Sequence, residues 1–159
     1  MTVLVAYAGR TASAEAIAWI VAQHLRDAGL SVDVRACDRA PDAWRYEAVV
    51  LGSALHGHRW DRSAVDYLRA QAPDLAERPT WLFGSSTADD VTHSDGLRLP
   101  RAVGHLVEEI GLGAPTTFGH HWTGRPGRWA DRIARTLRTS ARGERSTAWR
   151  PTLVGAARS

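Results

Sequence analysis

Lysine is absent from this chain of 159 residues, and all 20 of its basic residues are arginine. That excludes a Schiff-base lysine and the lysine of a Walker phosphate loop, and leaves the N-terminus as the sole amine nucleophile. Cysteine is nearly absent. With Cys37 alone, neither an internal disulfide nor a multi-cysteine zinc site can be built. No apolar run approaches the ~18 residues that suggest a membrane span. Strand-like sequence begins at Thr2 with no basic stretch before it, so no signal peptide is expected and the cytoplasm is the expected compartment. Gly-x-Ser-x-Gly, His-Glu-x-x-His and a strand-to-helix Gly-x-Gly-x-x-Gly are all missing, which sets aside three common active-site designs.

What is present suits one soluble domain: 44% hydrophobic and 23% charged residues over a length that can bury a sizeable core. The formal charge is +3 and the pI near 9.7. Along the sequence the arginines are scattered, with no dense block. That argues against nucleic acid and for acidic partners.

The first thirty residues set the pattern. Thr2–Tyr7 is a short β-branched apolar run, as expected of a strand buried on both faces. A polar loop, Ala8–Ser13, follows. Ala14–Ala28 carries Ile17, Ile20, Val21 and Leu25 at helical spacing and stops at Gly29. Strand, hydroxyl-bearing loop and helix together aim backbone N–H groups at an anion.

The rest repeats the unit. Ser31–Ala36 alternates like an edge or half-buried strand, and Cys37–Tyr46 is a connection with a proline and room for one helical turn. Glu47–Ser53 is a second buried strand, Ala54–Trp60 a loop, and Asp61–Gln71 a helix capped by Asp61. Pro79–Gly84 is the fourth strand. A long polar stretch, Ser85–Leu99, leads to Pro100 and a helix with Val103, Leu106, Val107 and Ile110 inward, ended by Gly111. Pro115–His121 is a weaker fifth strand, and Gly127–Arg138 the last helix. Residues 1–138 thus form one domain, and 139–159 are expected to be a disordered or loosely docked tail.

Five strands alternating with helices specify an α/β fold, a parallel sheet covered on both faces. Ligands in such sheets bind beyond the carboxyl ends of the strands, where strand order reverses. Three loops meet there: Ala8–Ser13, Ala54–Trp60 and Gly84–Asp95. His56, His58, His93, His120 and His121 fall in segments leaving that edge. They make no metal motif, since no pair has i, i+4 spacing and no carboxylate is evidently fixed beside them.

Four blocks carry a resemblance: VLVAYAGR (Val3–Arg10), AVVLGSALHGHRW (Ala48–Trp60), ERPTWLFGSS (Glu77–Ser86) and RWADRIARTL (Arg128–Leu137). Over roughly Thr2–Leu137 the chain resembles the flavodoxin-like proteins. Within them it is most similar to the short bacterial flavodoxin-domain proteins related to the menaquinone-linked protoporphyrinogen oxidase. The resemblance implies a doubly wound five-stranded sheet of order 2-1-3-4-5 and one FMN. It implies phosphate contacts at Arg10, Thr11, Ala12 and Ser13. The isoalloxazine would lie between Ser53, Ala54, Leu55, His56, Gly57 and Trp60 on one side and Gly84, Ser85, Ser86 and Thr87 on the other. Partners implied are a quinone, a porphyrinogen or an acidic redox protein, and a homodimer is compatible with it. His56 and His58 are the candidates for proton transfer.

The first loop departs from the family's pattern. A hydroxyl residue, a glycine and a threonine are usual at the positions of Gly9, Ala12 and Ala14. Two hydroxyl contacts to a dianion are thereby lost, each worth ~1.5–3 kcal/mol, which at ~1.4 kcal/mol per tenfold takes FMN from tight to marginal. Two other readings therefore stand beside an FMN-dependent oxidoreductase or electron carrier. One is a flavin-free binding or regulatory module. The other is a cofactor-independent enzyme using His56, His58 and His120. At single positions, Ser13 either contacts phosphate or caps the first helix, and Trp60 either walls a flavin or packs beneath the following helix.

Overall fold

The structure, a computed structural model, describes residues 1–9, 12–56, 59–86, 101–113, 115–119 and 125–141. Its strands are β1 (Thr2–Ala8), β2 (Ser31–Ala36), β3 (Ala48–His56), β4 (Arg59–Trp60), β5 (Thr80–Ser85) and β6 (Thr116–Phe118). Its α-helices are α1 (Ala12–Asp27), α2 (Arg62–Ala70), α3 (Ala72–Ala76), α4 (Arg101–Ile110) and α5 (Arg125–Ala141). The sheet order is β2-β1-β3-β5-β6, with β4 attached to β3 alone. All neighbours on that path are parallel. Counted without β4, this is the expected 2-1-3-4-5 order. Strand order reverses between β1 and β3.

Burial explains the strand sequences. Residues 48–54 of β3 are buried without interruption, so neither face could be polar. β2 lies at the sheet's edge and alternates, as its sequence does. Each face of the sheet has its own core. Val3, Val5, Val50 and Phe83 pack against Ile17, Val21 and Leu25 of α1 and Trp129, Ile133 and Leu137 of α5. Leu4, Ala6, Leu51 and Leu82 pack against α2, α3 and α4. Both Gly29 and Gly111 have positive φ, 93° and 75°. The residue after each closes the helix with a long backward bond, Leu30 N–H to the Leu25 carbonyl (3.1 Å) and Leu112 N–H to the Val107 carbonyl (2.9 Å).

Three sequence expectations are corrected. Ala54–Trp60 is not a loop throughout. β3 runs on to His56 and folds back as β4, pairing Leu55 with Trp60 and His56 with Arg59. The reversal is accompanied by a hydroxyl brace from Ser53 to Asp61, which no apolar run makes visible. Cys37–Tyr46 holds two 3-10 turns, Cys37–Arg39 and Ala43–Arg45, where one helical turn is expected; after Gln71, where the sequence pattern marks no element, lies the short α3, with Leu75 buried beneath it. α5 begins at Arg125 and continues to Ala141, taking in Thr139 and Ser140 from the expected tail. Among the described residues, no helix is long and apolar enough to cross a membrane.

An aromatic group on the α1/α5 side fixes β5 against β3. Phe83, Phe118 and Trp129 meet edge-on or tilted, with ring centroids 5.5–6.1 Å apart. Such pairs contribute about 0.5–1.5 kcal/mol beyond their buried area. The Phe83 ring occupies the space over Gly52, where an added Cβ would stand 2.0 Å from Cζ. Gly52→Ala is therefore expected to lower stability by ~1–3 kcal/mol through overpacking. A urea-denaturation midpoint equal to that of the parent would contradict this.

Candidate functional site

The carboxyl ends of β1, β3 and β5 form one rim. Registers pair Ala8 with Ser53 and Ala54 with Ser85. Alternation along each strand then sorts the side chains. Val5, Val50 and Phe83 face α1 and α5, so Gly9, Ala54 and Ser85, an even number of residues further on, lie on that side. The register brings these three into one row. Gly9 has φ 136°, and a Cβ there would stand 2.4 Å from the Ala54 Cβ. The first loop thus leaves β1 directly against β3, beside the start of α1.

This contact gives the departure at Gly9 a physical cause. A hydroxyl-bearing residue at this position would need both the left-handed backbone and space that Ala54 fills. Ala14, another departure, is 1% exposed in the first turn of α1.

Ser85 completes the row. It is 1% exposed, and its hydroxyl has no hydrogen-bond partner among the described residues. A buried hydroxyl left unpaired costs on the order of 1–3 kcal/mol. This is the atom on the α1/α5 side of the rim that a bound polar group would satisfy. Its neighbour Ser86 donates its backbone N–H to the Phe118 carbonyl (3.0 Å), tying β5 to β6.

On the α2 side the chemistry differs. Ser53 is fully buried and doubly used, accepting from the Asp61 N–H (2.8 Å) and donating to the Ala54 carbonyl (2.9 Å). It braces the β3–β4 turn. Asp61 caps α2 as the sequence implies, accepting from the Ser63 N–H (3.0 Å) and its hydroxyl (2.7 Å). Its other carboxylate oxygen lies 3.9 Å from His56 Nε2. The expectation that no carboxylate stands beside these histidines is thus corrected for His56. Trp60 is 7% exposed and lies in the core that includes Ala64 and Leu68 of α2. Leu55 packs against that same core and stands over Gly84. Ser13 lies half-buried in the first turn of α1. Arg10, Thr11, Gly57, His58, Thr87, His93, His120 and His121 fall outside the described residues, as do the side chain of Ala12 and the tail beyond Ala141.

Sequence reasoning missed a cavity of about 500 Å³ between the ends of β1 and β2 and the start of α2. Tyr7, Cys37, Asp38, Asp61 and Asp66 line it. Burial, then Asp61 and Asp38, push the Cys37 thiol up to about 12. Burial, then Glu15, raise the Tyr7 hydroxyl. Both shifts disfavour the negatively charged form of these two groups; Gly9 and Arg62 line the same cavity. No cluster of three His, Cys, Asp or Glu residues suited to a metal occurs among the described residues.

A reversal of strand order, a tight β1–β3 junction and a helix start on one rim define the class of doubly wound α/β proteins. The family model described as a flavodoxin domain matches residues 4–99, and the chain belongs to that family. No curated protein matches the sequence. Among solved structures, the chain is similar to rubredoxin oxygen:oxidoreductase from Desulfovibrio gigas (17% identity, TM-score 0.65), covering 89% of this chain and 36% of that one. It is also similar to an archaeal flavodoxin (14%, TM-score 0.64, 89% and 99%) and to Megasphaera elsdenii flavodoxin (19%, TM-score 0.65, 84% and 98%). This chain spans about a third of the length of the oxidoreductase.

A thiol raised from 9 to about 12 holds roughly a thousandfold less thiolate at pH 8. Iodoacetamide at that pH is expected to alkylate Cys37 in urea and to leave it almost untouched in the folded protein. Comparable rates in the two states would contradict the buried position.

Proposed function

We propose that this domain binds FMN at the Gly9–Ala54–Ser85 rim and serves electron transfer. The single observation that carries the reading is the unpartnered, buried Ser85 hydroxyl, set in line with the tight Gly9–Ala54 junction. The first turn of a helix leaves N–H groups without intrahelical acceptors, and α1 begins three residues after Gly9. Those donors and Ser85 suit a phosphate or ribityl oxygen. Arg10, Thr11 and Ser13 add charge and hydroxyls on the same loop. When bound, FMN supplies one- and two-electron chemistry, and the protein supplies orientation and electrostatics.

The residues of this chain have distinct tasks in that reading. Ser53 and Asp61 hold the β3–β4 turn in place and so set the position of Ala54 and Leu55. His56, exposed and 3.9 Å from Asp61, is placed to hand a proton to a substrate at the rim. His58, Gly57 and Thr87 extend the site by sequence position. The four sequence blocks named above support a narrower assignment, near the menaquinone-linked protoporphyrinogen oxidase group. There the chain would act as a cytoplasmic oxidoreductase toward a quinone or porphyrinogen.

A second reading, a flavin-free binding module, is favoured by one observation. The place where the family carries a phosphate-binding hydroxyl is closed by Ala54, and Glu15 sits in the first turn of α1.

Titration of the purified protein with FMN and with riboflavin separates the two. FMN is expected to be quenched saturably, riboflavin more weakly. Ser85→Ala is expected to cost FMN affinity about tenfold or more, the worth of one bond to a charged group. Absence of quenching by either flavin would favour the flavin-free module.

A further inference from the structure

The solvent face of α5 is almost wholly arginine. Of its residues with described side chains, six are exposed: Arg125, Arg128, Asp131, Arg132, Arg135 and Arg138. Asp131 is spent on His24 of α1, 3.1 Å away. Among the described residues, no carboxylate lies within ion-pair distance of these five arginines. Spacings of three and four residues bring them onto one side of the helix. The scatter seen along the sequence is therefore a dense block in space, where mutual repulsion is relieved by an anionic partner.

Beside Arg132 the same surface holds a cleft of about 330 Å³, lined by the apolar Trp81, Trp129 and Ile133 and the polar Thr116, Arg132 and Thr136. It opens next to β6, which ends the sheet. A cleft that offers aromatic and aliphatic side chains beside a row of arginines is the anatomy of a protein-binding patch, with room for an anchor and charge around it. It suits a nucleic acid poorly. Trp129 is 6% exposed, and its ring is engaged edge-on with Phe83 and Phe118. It offers no free face for a base to stack on.

We propose that the outer face of α5 and the adjoining cleft dock an acidic protein, its carboxylates on the arginine row and one apolar side chain in the cleft. The proposal uses none of Gly9, Ala54 and Ser85, so it stands whether or not FMN binds.

The probe is a fluorescein-labelled peptide rich in glutamate with a central Leu-Phe pair, titrated by anisotropy against the full chain. A polyglutamate of equal charge and a polyuridine RNA serve as comparisons. The peptide is expected to bind more tightly than polyglutamate, and its affinity to fall as salt rises. Arg128→Glu/Arg132→Glu/Arg135→Glu should weaken it at least tenfold, while Arg39→Glu/Arg45→Glu/Arg69→Glu, an equal charge change elsewhere, should leave it within twofold. Far-UV dichroism of both triple variants checks that each remains folded. Equal losses in the two triples would reduce the effect to net charge and overturn the proposal. Tighter binding of polyuridine than of the peptide would overturn it in favour of a nucleic acid.

Discussion

The contact of Gly9 with Ala54 is the constraint on which the candidate site depends. It sits where strand order reverses, and it lets the first loop leave β1 with no side chain between it and β3. The approach is possible because one residue lacks a Cβ and the other has little more. Register then carries the junction across to Ser85. A larger residue at either place would push the loop outward and open the rim.

Two environments meet at that rim. Toward α1 and α5 lie small residues and one unsatisfied hydroxyl, without an acidic side chain among the strand residues of the row. Toward α2 lie Asp38, Asp61 and Asp66 around a cavity that raises the Cys37 thiol. The cavity's lining also reaches Tyr7 and Gly9, so the two meet at the end of β1. The side that holds Ala54 and Ser85 is the one without Asp38, Asp61 and Asp66, and it is there that the proposed site lies. The family's usual hydroxyl at the position of Gly9 is absent, where Ala54 leaves no room for a side chain, and the proposed phosphate site rests instead on backbone, Arg10 and Ser85.

Much of this was legible in the chain. β1, β3 and β5 announce themselves as apolar runs between turn residues, because strands buried on both faces can hold little else. Gly29 and Gly111 mark helix ends by the backbone they alone tolerate readily. Asp61 reads as a cap from its place before a helical pattern. The misses have a common cause, which is dependence on partners distant in sequence. β4 exists because Ser53 binds the backbone of Asp61, eight residues away. α3 is only five residues long and carries a proline, too short for a period to show. No sequence rule says that Ser85 will be buried without a partner, or that Trp60 will lie in the core under α2. Nor does a linear scan reveal that arginines spaced through Arg125–Arg138 share one face, since that needs the helix and its buried side to be known.

Hydrogen–deuterium exchange with and without FMN tests the central claim most directly, because it reports the rim without relying on colour or activity. The account predicts that FMN slows exchange together in peptides covering Gly9 to Ala16 and Ala54 to Trp60, while the amides around Ser31–Ala36 are unchanged. Slowing confined to the acid-lined side near Cys37 and Asp38, with none at the start of α1, would contradict it.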